Sequence, residues 1–186
     1  MNTMTLLIIL GVGAVLIIWI ISIYNGMVKM RNKVDKEWRN IDVQLERRYS
    51  LIPNLIETVK GYAKHEQGTF EKITEFRSQA MNARSVGEKA QANSQLSSAL
   101  AGLTVQMEAY PELKANTNFL NLQEELASTE NKISFSRSIY NEVVMDFNNK
   151  IQIFPNNIFA GMFNFKEKEL FEISSAEVKE VPKVSF

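Results

Sequence analysis

Between Met1 and Val28 the chain has no charged side chain, and within that stretch residues 4–23, MTLLIILGVGAVLIIWIISI, form an apolar run of twenty. The hydrocarbon core of a bilayer is about 30 Å thick and takes about 20 helical residues, so the run is long enough to cross one. It predicts a membrane-spanning helix from Met4 through Leu10 and Trp19 to Ile23. No basic residue precedes the run, and the SIYNG that follows lacks an A-x-A-like cleavage signal. Both features favour a retained anchor over a removed signal peptide. Trp19 and Tyr24 lie near the downstream end, where amphipathic rings favour the headgroup level, although either ring can equally be ordinary packing.

Directly after the run come Lys29, Arg31, Lys33, Lys36 and Arg39, against only Asp35 and Glu37. The positive-inside rule counts such cations close to a span, and it places the large C-terminal part in the cytoplasm with the short N-terminus outside. The same cations also suit a solvated helix face, with Asp35 and Arg39 at a favourable i,i+4 spacing, and they can touch anionic lipid of the bilayer. Over the whole chain 21 basic and 21 acidic residues cancel, so nothing in the balance draws the protein to nucleic acid. With 186 residues, 45% of them apolar, there is enough chain for one core. The absence of cysteine removes disulfides, a thiolate nucleophile and cysteine zinc sites.

Beyond the anchor the pattern is helical throughout. Val34, Trp38, Ile41, Leu45, Ile52, Leu55, Val59 and Tyr62 recur in steps of three, four and seven, one stripe of a helix. The stripe continues through Phe70, Ile73 and Met81 and breaks at Ser85, Val86 and Gly87; a second pattern runs from Ala92 to Tyr110 and stops at Pro111. The strongest signal is the strict interval of seven linking Phe119, Leu126, Ile133, Tyr140, Phe147 and Phe154, with Leu122, Thr129, Ser136 and Val143 between them. This is a seam of bundle or coiled-coil type whose polar members, Thr129 and Ser136, suit a multi-helix bundle better than a pure coiled coil. Pro155 stops it, and Asn116, Thr117 or Asn118 can cap its start.

Residues 47–66, RRYSLIPNLIETVKGYAKHE, hold the adjacent Arg47 and Arg48, an internal proline and the only histidine. His65-Glu66 has no second histidine for a zinc protease motif, no Glu three residues before it for a di-iron bundle, and no nucleophile-elbow context. An exposed or interfacial His65 is the better reading, with no catalytic residue, metal ligand or cofactor called for. Arg47 and Arg48 can bind a phosphate or a partner carboxylate through charge-assisted contacts. The simpler reading ends a helix near Tyr49, where cations complement the dipole, and begins the next with Ser50 as N-cap. Pro53 would then cost no intrahelical bond, whereas inside a continuous helix it costs about 3 kcal/mol. The stripe runs on across this point in phase, so a kink is the alternative to a reversal. Under the reversal the helices cover about 27–49, 51–84, 88–109 and 118–153, with the anchor at 1–28, the bundle at 29–155, and a short aromatic segment and tail at 156–186.

Residues 24–66, YNGMVKMRNKVDKEWRNIDVQLERRYSLIPNLIETVKGYAKHE, closely resemble the signature region of the LemA family of bacterial membrane proteins: RNKV, Trp38 and IDVQL, the RR pair, LIPNL and VKGYAKHE stand in the family's order, and the terminal PKVSF resembles its ending. One departure is Ser50, where family members usually carry an acidic residue; either type can cap a helix. The resemblance implies an all-α fold, an N-terminal transmembrane helix followed by an antiparallel up-and-down four-helix bundle, in the bacterial cell membrane. It carries over no catalytic residue. Family members are encoded beside HtpX-type membrane metalloproteases in some bacteria, and a magnetosome-membrane relative exists.

The expected role is thus a non-catalytic, membrane-anchored bundle acting as an oligomeric scaffold or as a partner of membrane proteins, proteases among them. A ligand-sensing or signalling module is the alternative, because bundle cores can hold ligands without a sequence signature. Self-association is expected from the stripe Val34, Trp38, Ile41 and Leu45, which needs covering. Residues 154–165, FPNNIFAGMFNF, including Phe159, are too apolar for a free turn. They either contact the membrane interface or plug the end of the bundle.

Overall fold

The computed structural model describes residues 2–63 and 66–172. Among these there are helices and turns and no strand: α1 (Thr3–Lys60), α2 (Gln67–Asn82), α3 (Val86–Gln106), a 3₁₀ turn (Met107–Ala109), α4 (Pro111–Lys114), α5 (Thr117–Gln152) and α6 (Asn156–Met162). Local chemistry explains the starts. Ser85 caps α3, its Oγ accepting from the Glu88 N–H at 3.1 Å while Glu88 reaches back to the Arg84 and Ser85 N–H groups, a capping box. Asn116 Oδ1 accepts from the N–H groups of Asn118 and Phe119 at the head of α5. Pro111 opens α4 at the first helical position, where its missing donor is not needed.

The expected break at Ser50 and Pro53 is not there, and α1 continues for 58 residues through both. A proline in a helix interior leaves the carbonyl four residues earlier without its donor, here that of Tyr49. That carbonyl accepts instead from Arg77 Nε of α2 at 2.7 Å. Ser50 is no N-cap either; its hydroxyl donates to the Arg47 carbonyl at 2.7 Å. The chain leaves the helix only after Lys60, so the stretch expected as one helix over 51–84 belongs partly to α1 and partly to α2.

The chain forms two compact units. Unit 1 is Met1–Arg39 with Ile139–Lys168; unit 2 is Asn40–Ser138 with Glu169–Phe186. In unit 1, Met27, Val34, Tyr140, Val143, Val144 and Phe147 are buried, and Trp38 packs on Tyr140 at 5.4 Å between ring centroids. The segment after α6 is tied to α5 by the Asn148 amide, which donates to the Lys168 carbonyl and accepts from its N–H, both at 2.9 Å. Lys168 Nζ meets Asp35 at 3.1 Å.

In unit 2, Ile41, Leu45, Ile52 and Val59 of α1, Ile73 of α2, Leu96 and Leu103 of α3 and Phe119 and Ile133 of α5 make the core. Thr129 is buried in the seam without penalty because its hydroxyl donates to the Glu125 carbonyl of its own helix. The seam of sevens holds from Phe119 to Phe147 but not to Phe154, which is 79% exposed because α5 has already ended.

Candidate interaction sites

Arg47 and Arg48 are neighbours in sequence and opposites in surroundings. Arg47 is half exposed and ion-paired with Glu125 of α5. Arg48 is buried, its guanidinium 3.0 Å from Glu130 of α5 and 2.8 Å from the Ser97 hydroxyl of α3. Desolvation pulls its pKa down, opposed by the Glu130 charge and by Tyr49. The dipole account of this pair does not apply, since α1 runs on past them to Lys60. Next to Arg48, the Tyr49 hydroxyl takes a 2.7 Å hydrogen bond from Asn93, and burial raises its pKa against that bond and the Arg48 charge. Asn93 also donates to the Lys89 carbonyl, and Lys89 pairs with Asp42.

Arg48, Ser97 and Glu130 lie on the wall of a cavity of about 540 Å³ that is otherwise lined mainly by apolar and small side chains, Leu100 and Leu103 of α3, Met107 of the 3₁₀ turn and Phe119 and Leu126 of α5 among them. The same three residues border a second cavity of about 220 Å³, where Asn93, Ser94, Arg137 and Glu172 join them. Such an arrangement can receive an apolar side chain or a small amphipathic molecule; it offers no paired nucleophile and base. Among the described residues no group of three or more His, Asp or Glu is placed to hold a metal ion.

His65 lies outside the described residues. Phe159 sits on α6 with its ring edge-on to Trp19, 6.0 Å between centroids. Met4 and Leu10 are exposed along the apolar run, Trp19 is nearly half exposed, and α1 is long and apolar enough over this stretch to cross a membrane. Of the stripe Val34, Trp38, Ile41 and Leu45, the aliphatic members are buried within the chain and Trp38 is partly exposed. Sequence reasoning singled out Arg48 without Ser97, Asn93, Glu130 or Arg77. The one available signal was Pro53, which announces an orphaned carbonyl at Tyr49 but not its donor.

Residues 37–186 match the LemA family. The chain belongs to that family. It is 27% identical over 154 residues to Protein LemA of Metamycoplasma hominis, covering 82% of this chain and 70% of the relative. It is 23% identical over 175 residues to Magnetosome protein MamQ 2 of Paramagnetospirillum magneticum, and 22% over 174 to Magnetosome protein MamQ of Magnetospirillum gryphiswaldense, covering 80% of this chain in each case. It spans 64% of the length of those two magnetosome relatives, just under two thirds. A LemA-family chain with this N-terminal helix and such relatives fits a membrane-associated helical protein.

Proposed function

We propose that the protein is a non-catalytic, membrane-anchored helical bundle that works through protein contacts, as an oligomeric scaffold or as a partner of other membrane proteins, proteases included. The observation that supports it most is α1 itself: its first third is apolar and exposed, and from Met27 on its inward stripe is buried in the helical body. One element is therefore both anchor and framework, and what the body binds is held at the membrane. An antiparallel up-and-down bundle of α1, α2, α3 and α5 is favoured by the bonds inside unit 2: Tyr49 of α1 with Arg77 of α2, Asp42 of α1 with Lys89 of α3, and Arg48 of α1 with Ser97 and Glu130. The cations after the span favour a cytoplasmic body. Names that place relatives in magnetosomes support an organising role at membranes.

The contact surface is the cleft of α3 and α5, whose apolar lining suits side chains of a partner helix. A photo-crosslinking residue at Ala101 or Ala127, both lining the cleft, is expected to capture a second copy or a membrane protein in intact cells, and Leu126→Arg to abolish capture. Absence of adducts, together with strictly monomeric protein in several mild detergents, overturns the scaffold. A cysteine at Glu112 labelled by impermeant maleimide in intact cells overturns the orientation.

The ligand-sensing reading has its own support in the two adjoining cavities that share Arg48, Ser97 and Glu130. Native mass spectrometry of the purified protein separates the two readings, since a sensor retains a small molecule that Leu100→Trp excludes.

A further inference from the structure

Unit 1 lays two stretches free of charge, residues 1–28 and 151–165, side by side. Trp19 meets Phe159, and Tyr24 meets Phe163 at 4.9 Å and Phe165 at 5.9 Å. Their charged borders coincide as well. Lys150, which precedes the second stretch, has its ammonium so close to Gly26 that a Cβ there would lie 3.2 Å from Nζ. Arg31 stands over the Phe165 ring at 5.4 Å, next to Lys166, which ends the stretch. Cations from three chain segments thus gather at the level where the apolar run gives way to charge. Unit 1 as a whole has eight Lys and Arg against five Asp and Glu, although the full chain is neutral.

Below that level α6 lies along the apolar run, Phe159 opposite Trp19, which is four residues inside the run's downstream end and therefore about 6 Å along the axis. Ala160 is buried and Phe159 partly so, while Phe154, Ile158 and Met162 are 79%, 53% and 71% exposed. A helix apolar on both faces needs an apolar environment on both. Plugging the bundle end accounts for only the inward face. Both ends of α6 have polar groups met within the chain, as burial in lipid favours, while the exposed Asn157 keeps an amide for the headgroup level. The Asn156 amide donates to the Lys150 carbonyl. Asn164, left-handed at φ 56°, closes the C-terminus with Phe165 N–H to Ala160 and Asn164 N–H to Gly161, a Schellman motif.

We propose that α6 is a second membrane element, an in-plane helix that enters the headgroup and acyl boundary of the leaflet where the span emerges, with Lys29, Arg31, Lys150 and Lys166 as a collar for anionic lipid phosphates. Seven residues are too few to span and enough to dip. The inference rests on reading α1 as the anchor, and the test separates the two. The chain has no native cysteine, so single cysteines at Leu10, Ile158, Met162 and Gln91 can each carry a nitroxide in the full-length protein. In vesicles of phosphatidylcholine and phosphatidylglycerol, the Ile158 and Met162 labels are expected to be relaxed by oxygen and shielded from an aqueous nickel chelate, at a depth of about 5–10 Å. Leu10 should be deeper, and Gln91 open to the chelate. If Ile158 behaves like Gln91, or is shielded from both agents as under a plug or a second copy, while Leu10 is deep, the α6 proposal fails and the anchor stands. If Leu10 itself is open to the chelate, the anchor fails first. Lys150→Gln with Lys166→Gln, or omission of phosphatidylglycerol, is expected to make the Ile158 label shallower; an unchanged depth removes the anionic collar.

Discussion

Among the described residues, unit 1 buries no charged side chain, whereas unit 2 buries Arg48 together with Asn93 and Thr129. Unit 1 instead turns its apolar side chains outward, at residues 4–23 and again at Phe154, Ile158 and Met162. In water such exposure would be costly, since each Å² of apolar surface kept wet forfeits about 25 cal/mol. Inside a helical domain, burying a guanidinium is costly too, unless its donors are met. Each unit places groups where only a particular surrounding tolerates them: hydrocarbon for unit 1, and a closed set of partners for Arg48 in unit 2. With α1 read as the anchor and α6 as the proposed membrane element, exposure and burial in this chain answer to two solvents, and that comparison can be broken residue by residue.

The largest expected effect is at the buried cation. Arg48→Ala should cost about 2–3 kcal/mol, chiefly through lost packing and an abandoned Ser97 hydroxyl, because Glu130 is half exposed and can be solvated again. Arg48→Met should stay within about 1 kcal/mol of wild type, because an apolar side chain of similar length replaces a desolvated ion. Denaturant titration in a mild detergent measures both. An Arg48→Met as damaging as Arg48→Ala would mean that the charge, and not the filled volume, holds unit 2 together.

The next effect tests how α1 stays whole. Arg77→Ala leaves the Tyr49 carbonyl without a donor and should cost about 1–3 kcal/mol, whereas in a Pro53→Ala background the restored backbone N–H should cut that loss to below about 1 kcal/mol. Equal losses in the two backgrounds would dissociate Arg77 from the proline.

In unit 1 the corresponding sensitive point is backbone rather than charge. Asn164→Val should cost about 1–2 kcal/mol, because a β-branched residue resists the left-handed conformation that ends α6, and Asn164→Gly should be neutral or slightly stabilising. The Ile158 label described above should report the same change as a loss of lipid depth.

The smallest effect depends on pH. Burial raises the Tyr49 pKa in the folded state, so its contribution is fully present below the unfolded value of about 10 and is lost as pH rises through the folded value. Alkaline melts of wild type should fall faster than those of Tyr49→Phe. Parallel curves would place the titration elsewhere.

Much of this architecture was legible because it is written in neighbours. The apolar run declares a helix that can span a bilayer, and the interval of seven with a cap among Asn116, Thr117 and Asn118 puts a helix at about 118–153, within a residue at each end of the observed Thr117–Gln152. Arg48 was legible as unusual and not as buried, since Ser97, Glu130 and Asn93 lie 45 to 82 positions away and a polar residue's burial depends on partners that no local period encodes.

By itself, then, the sequence determined the helical class, an N-terminal helix long and apolar enough to span a bilayer, and the phase of each apolar stripe, because those depend on spacing along a single helix. Only the tertiary structure decided that α1 passes through Pro53, since the donor rescuing the Tyr49 carbonyl comes from another helix. It also decided that Phe154 leaves the seam and that α6 meets Trp19, because a chain that turns at Pro155 can send its aromatic residues back along the run from which it began.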